Sequence, residues 1–583
     1  MNISQNALWL DNPGLKEFDI SNYQGVQNRN FYHEDHLLQR IVKNFLKNQP
    51  SEEKNAVINH LTGYGALVGG ILNQLTFECH KEGKYGEIIH YDRSGNRIDK
   101  VQYSAEQIES RKISYEFGIV NLDFHSNWKF PFTAIHRYAL AYLANQNGEG
   151  GVTCPLAMTD GMILALKEIG TPEQKKKYLP LVAGEESLSY FMAGQYATER
   201  VGGSNVSANR TVAKKSSNGK WILNGEKWFC SNPGDLWVTT ARIENTSTIG
   251  LFLVPRIKED GSLNGCYLLR KKDIIGSRGK VTAEAAYHDL EAEELGRTTH
   301  GIANLIHYVV NVSRLHVGIS ATGMGRRAYM EAREYVQYRE AYGKKIIEFP
   351  SVKRNLAEMH TMQIAVTICV FHNIQINSNK HLASHIITPL LKYISTIHST
   401  WITREAILLH GGNGIIGDFS CLPRLHNDSI INETWEGTHQ IITDHVIRAF
   451  KRNKVRVSFL EEMANLTKGY EAFLEKLKQN KHKNFHYIES AIQVLLNLKE
   501  RVDSFLNYED KHFSMNYLPI CDRIFQFYAM SKLLEETMQD NGNGVFPYIL
   551  TIYSEIVERG IGNETKMNGI FSNENALTEV VFY

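Results

Sequence analysis

One block of the chain breaks an otherwise helical pattern, and its place in the middle constrains everything around it. Near Leu188 the helical spacing of apolar residues gives way to short β-rich runs, WVTTARI and IGLFLVPR, separated by a polar turn. Ahead of them, WILNGEKWF sets an Asn-Gly pair between apolar runs, which predicts a hairpin at that point. The block closes near residue 297 and reads as an antiparallel β domain, 188–297. On its N-terminal side Leu37, Leu38, Ile41, Val42 and Phe45 recur at helical spacing. Ala134, Tyr138, Leu140, Ala141 and Leu143 form a second apolar stripe, and Met162, Ile163, Leu166 and Ile169 a third. The segment YDRSGNRIDKVQY predicts a hairpin or irregular excursion, and Gly170 before Thr171-Pro172-Glu173 predicts a helix stop followed at once by a start. After Gly301 the helical period returns over 301–341, 349–377, 381–410 and 437–452, with Pro350 and Gly411-Gly412 as punctuation. Four long segments with short breaks predict an antiparallel bundle. The expected architecture is α+β and mainly α: an N-terminal helical domain (1–187), the middle β domain (188–297), a C-terminal bundle (298–452) and a helical extension (453–583).

At 583 residues the chain is too long for one compact core. A net charge of +1 gives no electrostatic case for nucleic acid or an acidic membrane. Locally, residues 451–583 hold 16 lysines and arginines against 18 aspartates and glutamates, which is not a basic domain. The seven cysteines are scattered and never in CxxC spacing, which argues against a disulfide framework or a zinc site and suits a reducing cytoplasm. The opening MNISQNALWLDNPGLKEFD lacks the basic and apolar regions of a signal peptide, and no apolar run approaches the length of a spanning helix. His398 and His410, or His439 and His445, do not form a HExxH-like set, so no metal is expected.

Several short motifs carry chemistry. In TWEGTHQIITDHVIRAF (434–450) a helix begins near Gly437, and Glu436 stands just ahead of its N-terminus, where unpaired N–H groups suit a phosphate or a flavin edge. The same glutamate could simply complement the helix dipole. LLHGGNG (408–414) either lets a backbone approach a ligand closely or caps a helix. TERVGGSNV (198–206) is glycine-rich with hydroxyls at Thr198 and Ser204, and could also be a surface turn. YREAYGKK (338–345) places Arg339 near a helix end, where a cation is favourable without any ligand.

In this order and at these separations the motifs resemble the acyl-CoA dehydrogenase family, over roughly residues 115–452. TERVGGSNV stands for the family's TE…G-x-S-D-V loop, NGEKWFCSN for its flavin-facing strand, REAYGKK for RxxFGK, LHGGNG for LGGNG and WEGT for YEGT. IGLFLVPR, SRLHVG, GVTCPLAMTDG, YDRSGNRIDKVQY and the extension are further similar to the alkylation-response, AidB-like branch. The resemblance implies an FAD-dependent acyl-CoA dehydrogenase in which Glu436 removes the α-proton of an acyl thioester while a β-hydride passes to flavin N5. It implies FAD contacts from Thr198, Ser204, Phe229, Ser231, Thr438 and Gln440, with Arg339, Gly411 and Gly412 reaching the FAD of a neighbouring subunit. Ser204, Arg314, Trp435 and Gly437 fall at the acyl-CoA site. Relatives that carry their base ahead of an arginine on another helix have no counterpart here, because that position is Ser313. Departures from the family pattern are Asn205 for Asp, Arg200 after the TE pair, Leu408 for a common Gln, and Trp435 for Tyr.

The expected partners are acyl-CoA, an electron-transfer flavoprotein and three further copies of the chain in a homotetramer. An acyl-CoA oxidase is the nearby enzymatic alternative; a nitroalkane oxidase would call for Asp at the base position. The alternative of another class is an AidB-like stress-response flavoprotein that binds nucleic acid and has weak dehydrogenase activity. The charge balance of the extension argues against that reading.

Overall fold

The computed structural model describes residues 20–184, 191–217, 219–507, 514–559 and 573–583. The N-terminal stretch read for a leader and the domain boundary at 187/188 lie outside the described residues.

The first helical block holds α1 (His36–Phe45), α2 (Ser51–Gly69), α3 (Ile71–Cys79), α4 (Ala105–Glu116), α5 (Ala134–Asn145), α6 (Thr153–Ile169) and α7 (Pro172–Ala183). Between α3 and α4 the excursion is a hairpin, β1 (Glu87–Tyr91) against β2 (Arg97–Gln102), antiparallel with Glu87 opposite Gln102. The stop and start at 170–173 form as read. Gly170 caps α6, and Thr171 opens α7 with a reciprocal capping box to Gln174 and proline in the first turn.

A seven-stranded sheet follows, built from β3 (Ala193–Tyr196), β4 (Val212–Lys215), β5 (Trp221–Ser231), β6 (Leu236–Ile243), β7 (Ile249–Pro255), β8 (Cys266–Lys271) and β9 (Thr282–Glu294). Its pairings are antiparallel except that β3 and β4 each run parallel to β6, so the expected antiparallel domain is in fact mixed. The predicted Asn-Gly hairpin does not form. Asn224-Gly225 lies inside the single strand β5, where the register against β9 slips between Leu223 and Gly225. Gly225 has φ 152°, and a Cβ there would lie 2.6 Å from Thr211 Cα. The pair therefore makes a bulge pressed against its neighbour rather than a reversal, the other use to which a glycine in a strand is put.

The third block contains α8 (Gly301–Asn304), α9 (Asn311–Tyr338), α10 (Pro350–Ser378), α11 (Ser384–His410), α12 (Leu422–Thr434) and α13 (His439–Lys451). The long segments fall where the periodicity set them. The first is not one uniform α-helix: a π-helical turn, Leu305–Val310, joins α8 to α9. Helix α11 packs against α9, α10, α12 and α13 and so forms the axis of the bundle.

The remainder is α14 (Asn453–Leu466), α15 (Tyr470–Gln479), α16 (Phe485–Ser504), α17 (Tyr517–Gln539), α18 (Phe546–Arg559) and α19 (Glu574–Phe582). It packs directly on the bundle, α17 against α10 and α13, and α19 against α10. Tyr329 and His360 donate to the carbonyls of Val581 and Val580. One apolar core runs from Val26 to Val581, and a second lies in the sheet around Trp237 and Phe252. Among the described residues no helix is long and apolar enough to cross a membrane.

Candidate active site

The turn between α12 and α13 carries the most strained backbone of the candidate site. Glu436 has φ 55°, a left-handed conformation uncommon for a residue with a side chain, and Gly437 follows at φ 107°. A Cβ at Gly437 would meet the Ile442 side chain at 2.9 Å, so the turn folds back tightly on the helix it precedes. Two helices hold it. From α11, Lys392 is fully buried and donates to the carbonyls of Glu433 (3.1 Å) and Gly437. From α9, the Arg314 guanidinium reaches the Glu436 carbonyl at 3.4 Å and His445 Nδ1 at 3.1 Å. The π turn just ahead of Ser313 reorients the face that this end of α9 presents.

The carboxylate itself is held from two sides. Gln195 Nε2 on β3 donates to Glu436 Oε1 at 2.7 Å, and Ser313 Oγ on α9 donates to the same oxygen at 2.8 Å. Oε2 accepts no hydrogen bond among the described residues. Burial raises the Glu436 pKa above the ordinary carboxylate value, while Ser313, Arg314, Lys392 and Gln195 each pull it back. The same burial lowers Lys392 to about 7, offset in part by Glu436. The product is a more basic carboxylate with one oxygen fixed and one available, the arrangement a general base requires.

The expected residues separate into two groups. Near Glu436 stand Trp435, Gly437 and Arg314, while Phe229 and Ser231 lie on β5 and Thr198 in the loop after β3. The Trp228 amide donates to the Thr198 carbonyl, which ties the loop after β3 to β5. Phe229 is 47% exposed, unusual for a phenylalanine inside a sheet, and Ser231 shares a hydrogen bond with Thr282. Ser204, Thr438 and Gln440 are exposed. Arg339, Gly411 and Gly412 lie elsewhere, at the far end of α9, where Asn413 Nδ2 donates to Tyr335 Oη at 3.1 Å.

Sequence reasoning missed Gln195, Lys392 and the part played by Ser313. Gln195 has no motif of its own. Lys392 does leave a trace, as the lone cation in the apolar run TPLLKYISTI. Ser313 was set aside as incapable of acting as a base, yet as a donor to the base it belongs to the site.

Two features show room for a ligand with acceptor groups. Thr438, the residue before α13, makes no side-chain cap, so the N–H groups of the first turn stay open to an anion. Trp435 Nε1 is a buried donor without an acceptor among the described residues.

Successive stretches match the adaptive response protein AidB N-terminal domain (22–186), the acyl-CoA dehydrogenase middle domain (194–290) and the acyl-CoA dehydrogenase C-terminal domain (300–451). The chain belongs to the acyl-CoA dehydrogenase family. Within it, the first domain is of the AidB kind, so the resemblance read from the motifs is borne out. AidB of Escherichia coli (strain K12) is 26% identical over 405 residues, 67% of this chain and 74% of its own. Acyl-CoA dehydrogenase family member 11 of Caenorhabditis elegans is 26% identical over 497 residues, 80% of this chain and 78% of its own. The solved structure of Caenorhabditis elegans ACDH-11 in complex with C11-CoA is 25% identical, with a TM-score of 0.79, over 92% of this chain and 93% of its own.

Proposed function

We propose that this protein is an FAD-dependent acyl-CoA dehydrogenase in which Glu436 removes the α-proton of an acyl thioester. The observation that carries the reading is the geometry of that carboxylate: strained into place, raised in basicity by burial, anchored through Oε1 and open at Oε2. Family membership and the acyl-CoA bound by the solved Caenorhabditis elegans relative support the substrate class.

FAD, when bound, supplies a hydride acceptor beside the substrate. Thr198, Ser204, Phe229 and Ser231 would hold it on the sheet side, and Thr438 and Gln440 at the open end of α13. The chain's own residues do the proton chemistry. Gln195 and Ser313 fix the carboxylate, so that Oε2 is the atom that takes the proton. Arg314 and Lys392 hold the turn by its carbonyls and limit the rise in basicity. Trp435 and Gly437 shape the entrance to the acyl site. Electrons would leave to an electron-transfer flavoprotein.

The test is to record the visible spectrum of the purified protein and add saturated acyl-CoAs of graded length without oxygen. Bleaching with one chain length is the expected result, and Glu436→Gln should abolish bleaching while retaining the flavin. A protein that takes up no flavin even after reconstitution would sink the reading. A flavin that no acyl-CoA reduces would turn attention to the AidB-like alternative. Reoxidation by oxygen at the rate of turnover would mark an oxidase.

A further inference from the structure

Lys280 lies in the loop just before β9 and is 3% exposed, yet the one hydrogen bond of its ammonium among the described residues goes to a neutral hydroxyl, Thr282 Oγ1, at 3.0 Å. Its Nζ also sits 5.7 Å from the centre of the Trp435 ring, which brings it beside the turn that carries Glu436. The carboxyl groups of Glu149 and Asp428 feel its charge at longer range. Both are occupied by backbone amides: Glu149 accepts from Gly151, and Asp428 from Ser277 and Glu149. A buried lysine without a carboxylate partner is costly and calls for an account of what it does.

The account lies in the direction of the hydrogen bonds. Thr282 Oγ1 is 3.2 Å from Ser231 Oγ, and between two hydroxyls alone either could be the donor. A lysine ammonium has donors and no acceptor, so Thr282 must accept from Lys280. Thr282 keeps a second lone pair, but accepting from a cation strengthens its own O–H as a donor, which favours the arrangement in which it donates to Ser231 Oγ. In that arrangement Ser231 keeps its own proton free, and no acceptor takes it among the described residues.

We infer that Lys280 is a positioning residue for the cofactor: through Thr282 it fixes the Ser231 hydroxyl as a donor toward the flavin ring and sets a buried positive charge behind it. The inference rests on the FAD reading above, and on Ser231 facing the flavin. Taking up two electrons and one proton, an oxidised flavin becomes the reduced anion and gains one negative charge. A directed donor and a fixed cation both favour that change.

The test is the midpoint potential of the flavin in the holoprotein, measured by anaerobic titration with dithionite against a reference dye. Lys280→Met should disfavour reduction at least tenfold, about 30 mV for a two-electron couple. Lys280→Arg should stay within about threefold of the parent, since it keeps the charge and the donors. Thr282→Val, which breaks the relay but leaves the charge, should shift reduction about threefold or more in the same direction. Lys280→Met that holds flavin at an unaltered potential would overturn the inference and leave the FAD reading standing. If Lys280→Met does not fold or hold flavin, an unaltered potential in Thr282→Val overturns it instead. A parent protein that never holds flavin would overturn both.

Discussion

At the scale of single residues, the site is organised around one oxygen atom. Gln195 and Ser313 arrive from different domains and end on the same Oε1 of Glu436. Each donates to the charged form and so favours it, working against the burial that raises the pKa. The sign of a perturbation follows. Ser313→Ala removes a donor to the carboxylate, so proton affinity rises further above the ordinary value. Because the base must be ionised to take the α-proton, the acid limb of the rate profile should move to higher pH. A hydrogen bond to a charged group is worth roughly 1.5–3 kcal/mol, so a shift on the order of one pH unit is expected. The check is the pH dependence of anaerobic flavin bleaching by the best acyl-CoA, in parent and variant. An acid limb that stays in place would mean that Ser313 does not act on the base. Folding stability carries the opposite dependence: a carboxyl whose folded pKa is raised makes its contribution at low pH, and loses it as pH rises toward that raised value.

At the scale of elements, legibility depended on whether a signal was local. The junction of α6 and α7 could be read because Gly170, Thr171 and Pro172 act within one turn of themselves. The long helices of the bundle could be read because their apolar spacing persists over several turns. Glu436 could be named because WEGT and four other motifs occur in family order. Asn224-Gly225 was misread because the same freedom of φ serves a turn or a bulge. What decides between them is Thr211, pressed against Gly225 from outside the run. Gln195 was illegible for the same kind of reason: its partner is 241 residues away, and nothing in AGQY foretells it. The bulge gives a direct test. Gly225→Ala would place Cβ 2.6 Å from Thr211 Cα and should destabilise the protein by about 1–3 kcal/mol. Gly412→Ala, with no atom within 4 Å of its Cβ, should change stability by less than about 0.5 kcal/mol. Urea unfolding of the two variants beside the parent measures the contrast, and equal stability would argue that β5 turns rather than bulges.

At the scale of the whole molecule, the two groups of expected cofactor residues cannot serve one site within one chain. Arg314 touches the Glu436 turn near the start of α9, whereas Arg339 closes the same helix 25 residues on. At 1.5 Å per residue that separation is about 38 Å, longer than an extended dinucleotide. Gly411 and Gly412 stay with the Arg339 end, next to Tyr335, and open space surrounds both. Exposed Leu408 (55%), Ile415 (73%) and Ile416 (42%) flank them, an apolar surface at the end of the bundle axis α11. If both groups hold FAD, a second copy of the chain must bring its Arg339 end to the first copy's Glu436 end, and cofactor retention becomes tied to assembly. Gly412→Trp puts bulk into that open space without touching the core. It should leave the monomer fold intact, shift the protein toward smaller species in light scattering after size exclusion, and weaken FAD binding at least tenfold. Glu436 and its donors are remote from the change, so flavin that is forced on at high concentration should still be bleached by acyl-CoA. A parent protein that is monomeric and yet holds one FAD per chain would refute the shared site, and would confine the cofactor to the residues gathered around Ser231 and the N-terminus of α13.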